Sequence, residues 1–381
     1  MLYLGIDQHA KQLTISLRDD SGAVVQNRQV STEPTRCLEF LSKLKELAGA
    51  EGFVAVVEVC GFNDWLLELL PKYGCVQTVL IQPEKKRKVK TDRRDAKALS
   101  ELLWLNRDRI RNKQSIHGVR QVIMPTNINR DNQRITLIRQ QVGRQHTRAI
   151  NQIKHILRRY NLQWQMPTKT FPSKKAITWL KTIDLPPSDR GELNWHMSEL
   201  ERLSNKIDSL DADIVSRAQG DRDVELLRTI PGVAYFTALA LSSRIGDAKR
   251  FASGKGLSNY WGLTPSVDDS GDSKGRRGRI TKAGSSVARW LLGQIVVHVL
   301  RKDPLMKLWY KPIRNRRGSK IARVAVMRRM TVIIRNMLVE GQDYRECRGA
   351  MFERRKKQIE SKPLVATLDS KQVSSVQVPS M

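Results

Sequence analysis

The sequence predicts three successive structural parts: an α/β domain at the N-terminus, a pair of long helices, and a mainly α-helical C-terminal domain. Three observations carry this. Residues 1–81 alternate strand-like and helix-like patterns in the order βββαβαβ. Residues 129–217 repeat apolar side chains every seven positions. The remainder joins helical apolar spacing to an excess of Lys and Arg.

At the N-terminus, Leu2, Leu4 and Ile6 alternate with Tyr3 and Gly5, and Leu13, Ile15 and Leu17 follow. Val24, Val25 and Val30 come after the turn Asp20-Ser21-Gly22, so three strands in an antiparallel meander are predicted. A helix capped near Thr32 or Thr35 carries Leu38, Leu41, Leu44 and Leu47 on one stripe. A buried strand over 53–57, a helix over 64–73 and a strand over 76–81 complete the pattern. This order is that of an RNase H-like sheet, and fold order by itself fixes no function. The α/β domain is expected to occupy 1–112.

The second part, 113–222, holds a linker and the long helices. Leu193, Leu200, Ile207 and Ile214 recur in heptads with Leu203 and Leu210 between them, while Ile135, Ile138, Val142, Ile150, Ile153 and Leu157 form an earlier stripe. An antiparallel coiled-coil arm broken near 167–187 is predicted, the alternative being two amphipathic helices of a compact bundle. The third part, 223–350, opens with LLRTIPGV, whose IPGV segment looks like a helix-hairpin-helix turn. Residues 351–381 lack a sustained apolar stripe and are expected to form a disordered tail.

Charge narrows the partners. The 381 residues contain 68 Lys and Arg against 38 Asp and Glu, a formal charge of +30, which calls for a polyanion. Residues 1–70 are net −4, so the basic surface lies elsewhere. One cluster is Lys85, Lys86, Arg87, Lys88 and Lys90, and a second lies within 301–357, including Arg314, Arg316, Arg317 and Lys320. The second is interleaved with Ile321, Val324, Ala325 and Met337, as expected for helices with one basic face that contact phosphates. Trp261, Trp290 and Trp309 either stack on bases or pack in the core. Four scattered cysteines with no CxxC pair exclude a zinc ribbon or a disulfide scaffold. No signal-peptide pattern is present, and a cytoplasmic location is expected. The most apolar stretch, 287–300, is interrupted by Arg289 and His298 and falls short of the roughly 20 residues of a membrane span.

Candidate chemistry sits where apolar strands finish. Asp7 follows Gly5-Ile6, Glu58 follows Val56-Val57, and Asp92 and Asp95 open a helix in KTDRRDA. Acidic residues are disfavoured inside strands, and the i,i+3 spacing sets Asp92 and Asp95 on one helical face. Converging carboxylates repel unless hard cations separate them, and oxygen-only donors suit Mg²⁺ or Mn²⁺. Two such ions roughly 3.5–4 Å apart support phosphodiester cleavage. Each residue also has a plainer reading: Asp92 as an N-cap with Asp95 favouring the helix dipole, Asp7 as a turn residue, Glu58 in an ion pair.

Taken together, GID at 5–7, the Glu58-Val59-Cys60-Gly61 turn, KTDRRDA at 90–96, IPGV at 230–233, IGDAKRF at 245–251, YWGLTPSVDDSGDSKGRRGRITKAG at 260–284 and the stretch 303–330 resemble the DEDD-type transposases of bacterial insertion sequences, the group related to the Piv invertase. The resemblance covers most of 1–345. It implies a RuvC-like N-terminal domain, a coiled coil and a C-terminal transposase domain. It further implies that Asp7, Glu58, Asp92 and Asp95 bind metal and that Ser270 is the nucleophile joined covalently to a DNA phosphate. Lys274, Arg276, Arg277, Arg279 and Lys282 surround that serine in the sequence and suit the scissile phosphate. Also implied are double-stranded DNA partners (element ends and target), a structured noncoding guide (bridge) RNA, a dimer or tetramer, and association with the bacterial nucleoid. Two departures stand out: Cys60 replaces the family's usual Thr, and the linker ahead of KTD is short. The rivals are a RuvC-like Holliday-junction nuclease that uses water instead of serine, and a non-enzymatic nucleic-acid-binding scaffold.

Overall fold

A computed structural model describes the backbone of residues 1–82, 92–112, 114, 116–119, 121–267 and 277–360. The chain forms two compact units, Met1–Met124 and Pro125–Met381.

The first unit is built on a sheet of six strands: β1 (Leu2–Gln8), β2 (Gln12–Arg18), β3 (Val24–Ser31), β4 (Phe53–Glu58), β5 (Cys75–Ile81) and β6 (Gln121–Val122), in the order β3-β2-β1-β4-β5-β6. The first three strands pair antiparallel, β1 pairs parallel with β4 and β4 with β5, and β6 closes the edge antiparallel to β5. This mixed α/β sheet is compatible with the RNase H-like class the sequence predicts. The two-residue β6 is an addition to the predicted pattern.

Strand alternation sorts the side chains into two layers. Leu4, Ile6, Leu13, Ile15, Leu17, Ala55 and Val57 join one core with Cys37, Phe40, Leu41 and Leu44 of α1 (Pro34–Ala48) and Leu66 and Leu67 of α2 (Asp64–Leu69). Tyr3, Val54, Val56, Val79 and Ile81 join the other core with Leu99 and Leu103 of α3 (Asp92–Leu105) and Ile110 of α4 (Arg107–Arg111). On α1 the buried stripe runs through Cys37, Phe40, Leu41 and Leu44, while Leu38 and Leu47 of the expected stripe are exposed. The α1 cap is the Glu33 carboxylate, which accepts from the amides of Thr35 and Arg36, rather than a threonine. Gly5 lets α3 lie against β1, because any side chain there would overlap the Ala96 carbonyl and the Ser100 amide.

The second unit is mainly helical: α5 (Asn127–Arg159), α6 (Lys174–Thr182), α7 (Pro187–Ala218), α8 (Arg222–Arg228), α9 (Tyr235–Ile245), α10 (Gly254–Tyr260), α11 (Ser286–Lys302), α12 (Pro304–Arg317), α13 (Ser319–Glu340) and α14 (Tyr344–Glu360). A small hairpin, β7 (Pro265–Val267) with β8 (Arg277–Ile280), lies between α10 and α11 in the chain. The helices α5 and α7 run antiparallel. Arg139 pairs with Asp211, His146 Nε2 lies 3.2 Å from Ser204 Oγ, and Arg159 and Tyr160 both bond Asp189. Their shared core takes Val142, Ile153, Leu157, Leu193, Leu200, Leu203 and Leu210, whereas Ile138 is exposed. A second core holds α8–α11, α13 and the start of α14, with Trp261, Met330, Ile334 and Tyr344 buried in it. On α13 the buried face runs through Ala322, Val326, Met330, Ile333 and Met337, which leaves Ile321 exposed. No helix of the described residues is long and apolar enough to cross a membrane.

Candidate active site

The first cluster lies at the carboxyl ends of β1 and β4, where parallel α/β sheets place their ligand crevices. The β1–β4 ladder ends at Ile6 opposite Val57, so the next residues in register are Asp7 and Glu58. Alternation aims both toward the α3 side of the sheet, since Tyr3 and Gly5 precede Asp7 on that face and Val54 and Val56 precede Glu58. Neighbouring strands are ~4.8 Å apart, which makes the two carboxylates adjacent. Asp95 stands on the first turn of α3, one residue before the Ala96 that touches Gly5. Asp7 and Asp95 are buried, while Glu58 is half-buried. Asp92 opens α3 one turn earlier, and its side chain lies outside the described residues. Among the described residues no three His, Cys, Asp or Glu side chains close around a common point.

Three polar residues beside this cluster carried no signal in the sequence. His9 Nε2 lies 3.3 Å from Asp7 Oδ2. Gln8 and Asn63 are buried and bonded to each other at 2.8 Å. On the same face, the Tyr3 hydroxyl donates to Asp20 Oδ1 at 3.1 Å, and Arg111 donates to the same oxygen at 2.6 Å. Burial, followed by the Asp20 bond, pushes the Tyr3 phenol up to about 12, and the Arg111 and Tyr3 bonds hold the Asp20 carboxyl below its ordinary value.

The second candidate region is the hairpin of the helical unit. Ser270, Lys274 and Arg276 fall between β7 and β8, outside the described residues, as does the side chain of Arg277. Lys85, Lys86, Arg87, Lys88 and Lys90 are outside them too. What the structure gives is the frame around the serine segment. Val267 pairs with Arg277 and Pro265 with Ile280, Thr281 N donates to Thr264 O, and Lys282 N donates to Gly262 O. Gly262 and Gly284 both have positive φ, and a side chain on either would overlap the backbone of the opposite arm. Arg289, read from sequence only as an interruption of an apolar stretch, closes this base. Its guanidinium donates to Trp261 O and Gly284 O at 3.0 Å and to Ala283 O at 3.3 Å. Burial lowers its pKa from the usual arginine value. Trp261 is fully buried, which settles it as a core residue.

Arg279 and Lys282 are exposed on the arms of this frame. Arg314, Arg316 and Arg317 fill the last turn of α12, and Lys320 sits in the first turn of α13, across Gly318. All four are exposed, and none forms an ion pair with a carboxylate among the described residues. Cations favour a helix C-terminus, whereas Lys320 stands at an N-terminus with no acidic neighbour in that turn, where the dipole opposes it.

Comparison with known proteins bears on both regions. Residues 4–162 match the DEDD transposase domain of the IS110 type, and residues 224–311 match the domain described as transposase IS116/IS110/IS902 family. The chain belongs to the DEDD-type insertion-sequence transposases. It is 27% identical over 352 residues to the transposase for insertion sequence element IS1111A of Coxiella burnetii, covering 90% of this chain and 91% of that one. A putative transposase of Sinorhizobium fredii is 25% identical over 307 residues, 78% of this chain and 75% of the relative. In this transposase the first matching domain carries Asp7, Glu58, Asp92 and Asp95, and the second carries the frame around Ser270. The DEDD domain implies the use of a divalent metal, and the family implies DNA as a partner.

Proposed function

We propose that this transposase cuts and rejoins DNA strands of an insertion sequence with a metal site formed by Asp7, Glu58, Asp92 and Asp95 and with Ser270 as nucleophile. The observation that carries the reading is the register of β1 and β4, which makes Asp7 and Glu58 neighbours on the face that Asp95 also borders. The donor set fits a hard divalent cation: the four side chains offer only carboxylate oxygens, and Asp7 and Asp95 are buried, where like charges need a counter-charge. Mg²⁺ or Mn²⁺ bound there would supply charge stabilisation to a phosphodiester in transit.

The chain's own residues divide the remaining work. Ser270 Oγ attacks the scissile phosphorus, forming an Oγ–P bond as the bond from phosphorus to a deoxyribose oxygen breaks. The Oγ proton is released and the departing oxygen gains one. Attack by a strand-end hydroxyl on the seryl phosphodiester reverses the exchange and rejoins DNA. Lys274, Arg276, Arg277, Arg279 and Lys282 offset the phosphate charge, and the Arg289 frame holds the arms of the segment. Lys85, Lys86, Arg87, Lys88, Lys90, Arg314, Arg316, Arg317 and Lys320 bind nucleic-acid backbone. A structured noncoding bridge RNA pairs with donor and target DNA, so the protein reads RNA shape and base pairing reads sequence. Exchange between two duplexes requires several such sites, hence a dimer or tetramer.

Labelled duplex, Mg²⁺ and the co-expressed element RNA, followed by nuclease digestion, test this reading. Ser270→Ala is expected to abolish the covalent protein–DNA adduct, and Asp7→Asn to lower cleavage ~100-fold or more with DNA binding retained. Normal strand transfer by Ser270→Ala would leave a junction nuclease that uses water. Full activity of Asp7→Asn would leave a binding scaffold.

A further inference from the structure

The ladder between β1 and β4 stops at Ile6 and Val57, one residue short of the carboxylates. Asp7 and Glu58 therefore stand where the backbone bonds between these strands have ended, and two like charges facing one another there push the strand ends apart. A pair of side-chain amides links the strand ends from the opposite face, where alternation sets Gln8. Asn63 Nδ2 donates to Gln8 Oε1 at 2.8 Å and to the Glu58 carbonyl at 3.1 Å. Its Oδ1 accepts from the Cys60 amide at 2.6 Å. Gln8 Nε2 in turn donates to the Phe62 carbonyl at 3.1 Å. Both side chains are more than nine-tenths buried.

We infer that Gln8 and Asn63 are positioning residues for the metal ligands: their amide–amide bond fixes the separation of Asp7 and Glu58. The inference rests on the metal-binding reading of the proposed function. Three features support it beyond proximity. Gln8 is bonded to Asp7 through one peptide, and Asn63 holds the carbonyl of Glu58 itself, so the link spans from one ligand residue to the other. The bridge is neutral and adds no charge to the carboxylates, and both of its amide oxygens already accept N–H bonds. Buried amides are costly unless bonded, and here the Asn63 amide is bonded through both its nitrogen and its oxygen, so the geometry is strongly preferred. Removing groups that orient metal ligands typically costs about 10–100-fold in metal affinity.

The test is a double-mutant cycle on the full-length protein, read as the dissociation constant of Mn²⁺ alone, followed by electron paramagnetic resonance without nucleic acid. Gln8→Met and Asn63→Leu keep the side-chain size and remove the amides. Each is expected to weaken Mn²⁺ binding about 10-fold, at the low end of the usual range for such supporting groups. The double variant should lose little more than either single one, because both remove the same link. Unchanged Mn²⁺ constants, or losses that simply multiply in the double variant, would overturn the inference.

Leu41→Ala, in the core on the opposite face of the sheet, controls for general loosening and is expected to lower Tm while leaving the Mn²⁺ constant alone. An equal loss of Mn²⁺ affinity in that variant would also overturn the inference. Should Asn63→Leu fail to fold, Gln8→Met decides by the same readout. Asp7→Asn separates the two levels. Mn²⁺ binding that survives in Asp7→Asn removes the metal reading itself. Binding lost in Asp7→Asn but intact in the amide variants removes only the positioning role.

Discussion

The carboxylate end of the sheet and the hairpin between α10 and α11, the two regions that the proposed reaction uses, are framed by opposite means. Asp7 and Glu58 ride on parallel strands whose register is set by a continuous ladder and by apolar side chains on both faces. Ser270 falls in the chain between two short strands, whose arms are joined by a few backbone bonds, two glycines with positive φ and one arginine. The acidic site thus draws its precision from regular structure, which needs many residues and tolerates little change. The basic frame draws it from a handful of long-range bonds, so single substitutions there should alter geometry without unfolding the unit.

The largest effect is expected for Gly5→Val, which drives a side chain into the backbone of α3: about 3 kcal/mol or more of lost stability in the N-terminal unit, measured by urea denaturation. Tolerance of that change would mean that α3 does not rest on β1. Next comes Arg289→Leu, which leaves three carbonyls without their cationic donor. A loss of about 2 kcal/mol is expected, together with faster proteolysis between 262 and 284 and no change in Mn²⁺ binding. Unaltered cleavage by protease would show that the frame does not depend on the arginine.

Replacing Arg314, Arg316, Arg317 and Lys320 with Ala should weaken duplex DNA binding and flatten its salt dependence, by about 0.9 in the log–log slope for each phosphate left without a cationic side chain. An unchanged slope would place phosphate binding elsewhere on the protein. The smallest effect is at Tyr3. Its folded pKa, about 12, lies above the ordinary value of 10.0, so its contribution to stability is complete below pH 10.0 and disappears as pH rises toward 12. Tyr3→Phe should remove that alkaline dependence from a pH series of melting curves.

Legibility in the sequence followed the same division. Strand alternation made the sheet and its terminal carboxylates readable, because Asp7 and Glu58 interrupt patterns that are themselves local. Helix stripes were readable in period and less so in phase. Leu38, Leu47, Ile138 and Ile321 fit the spacing yet are exposed, since which flank of a stripe is covered depends on the partner element. The two-residue β6 has too few residues to show a period. Gln8, Asn63 and Arg289 were unreadable for another reason: their roles lie in bonds to residues 55 and 28 positions away, and a polar side chain near a turn looks the same with or without them.

On the proposed reading, the carboxylates closing β1 and β4 hold divalent metal. Diffraction at the manganese edge from crystals of the full-length protein soaked in Mn²⁺ tests it most directly. An anomalous peak within about 2.5 Å of oxygens from both Asp7 and Glu58, absent in Asp7→Asn, is the expected result. Manganese that binds elsewhere, or no peak at either carboxylate with the site open to solvent, would contradict it.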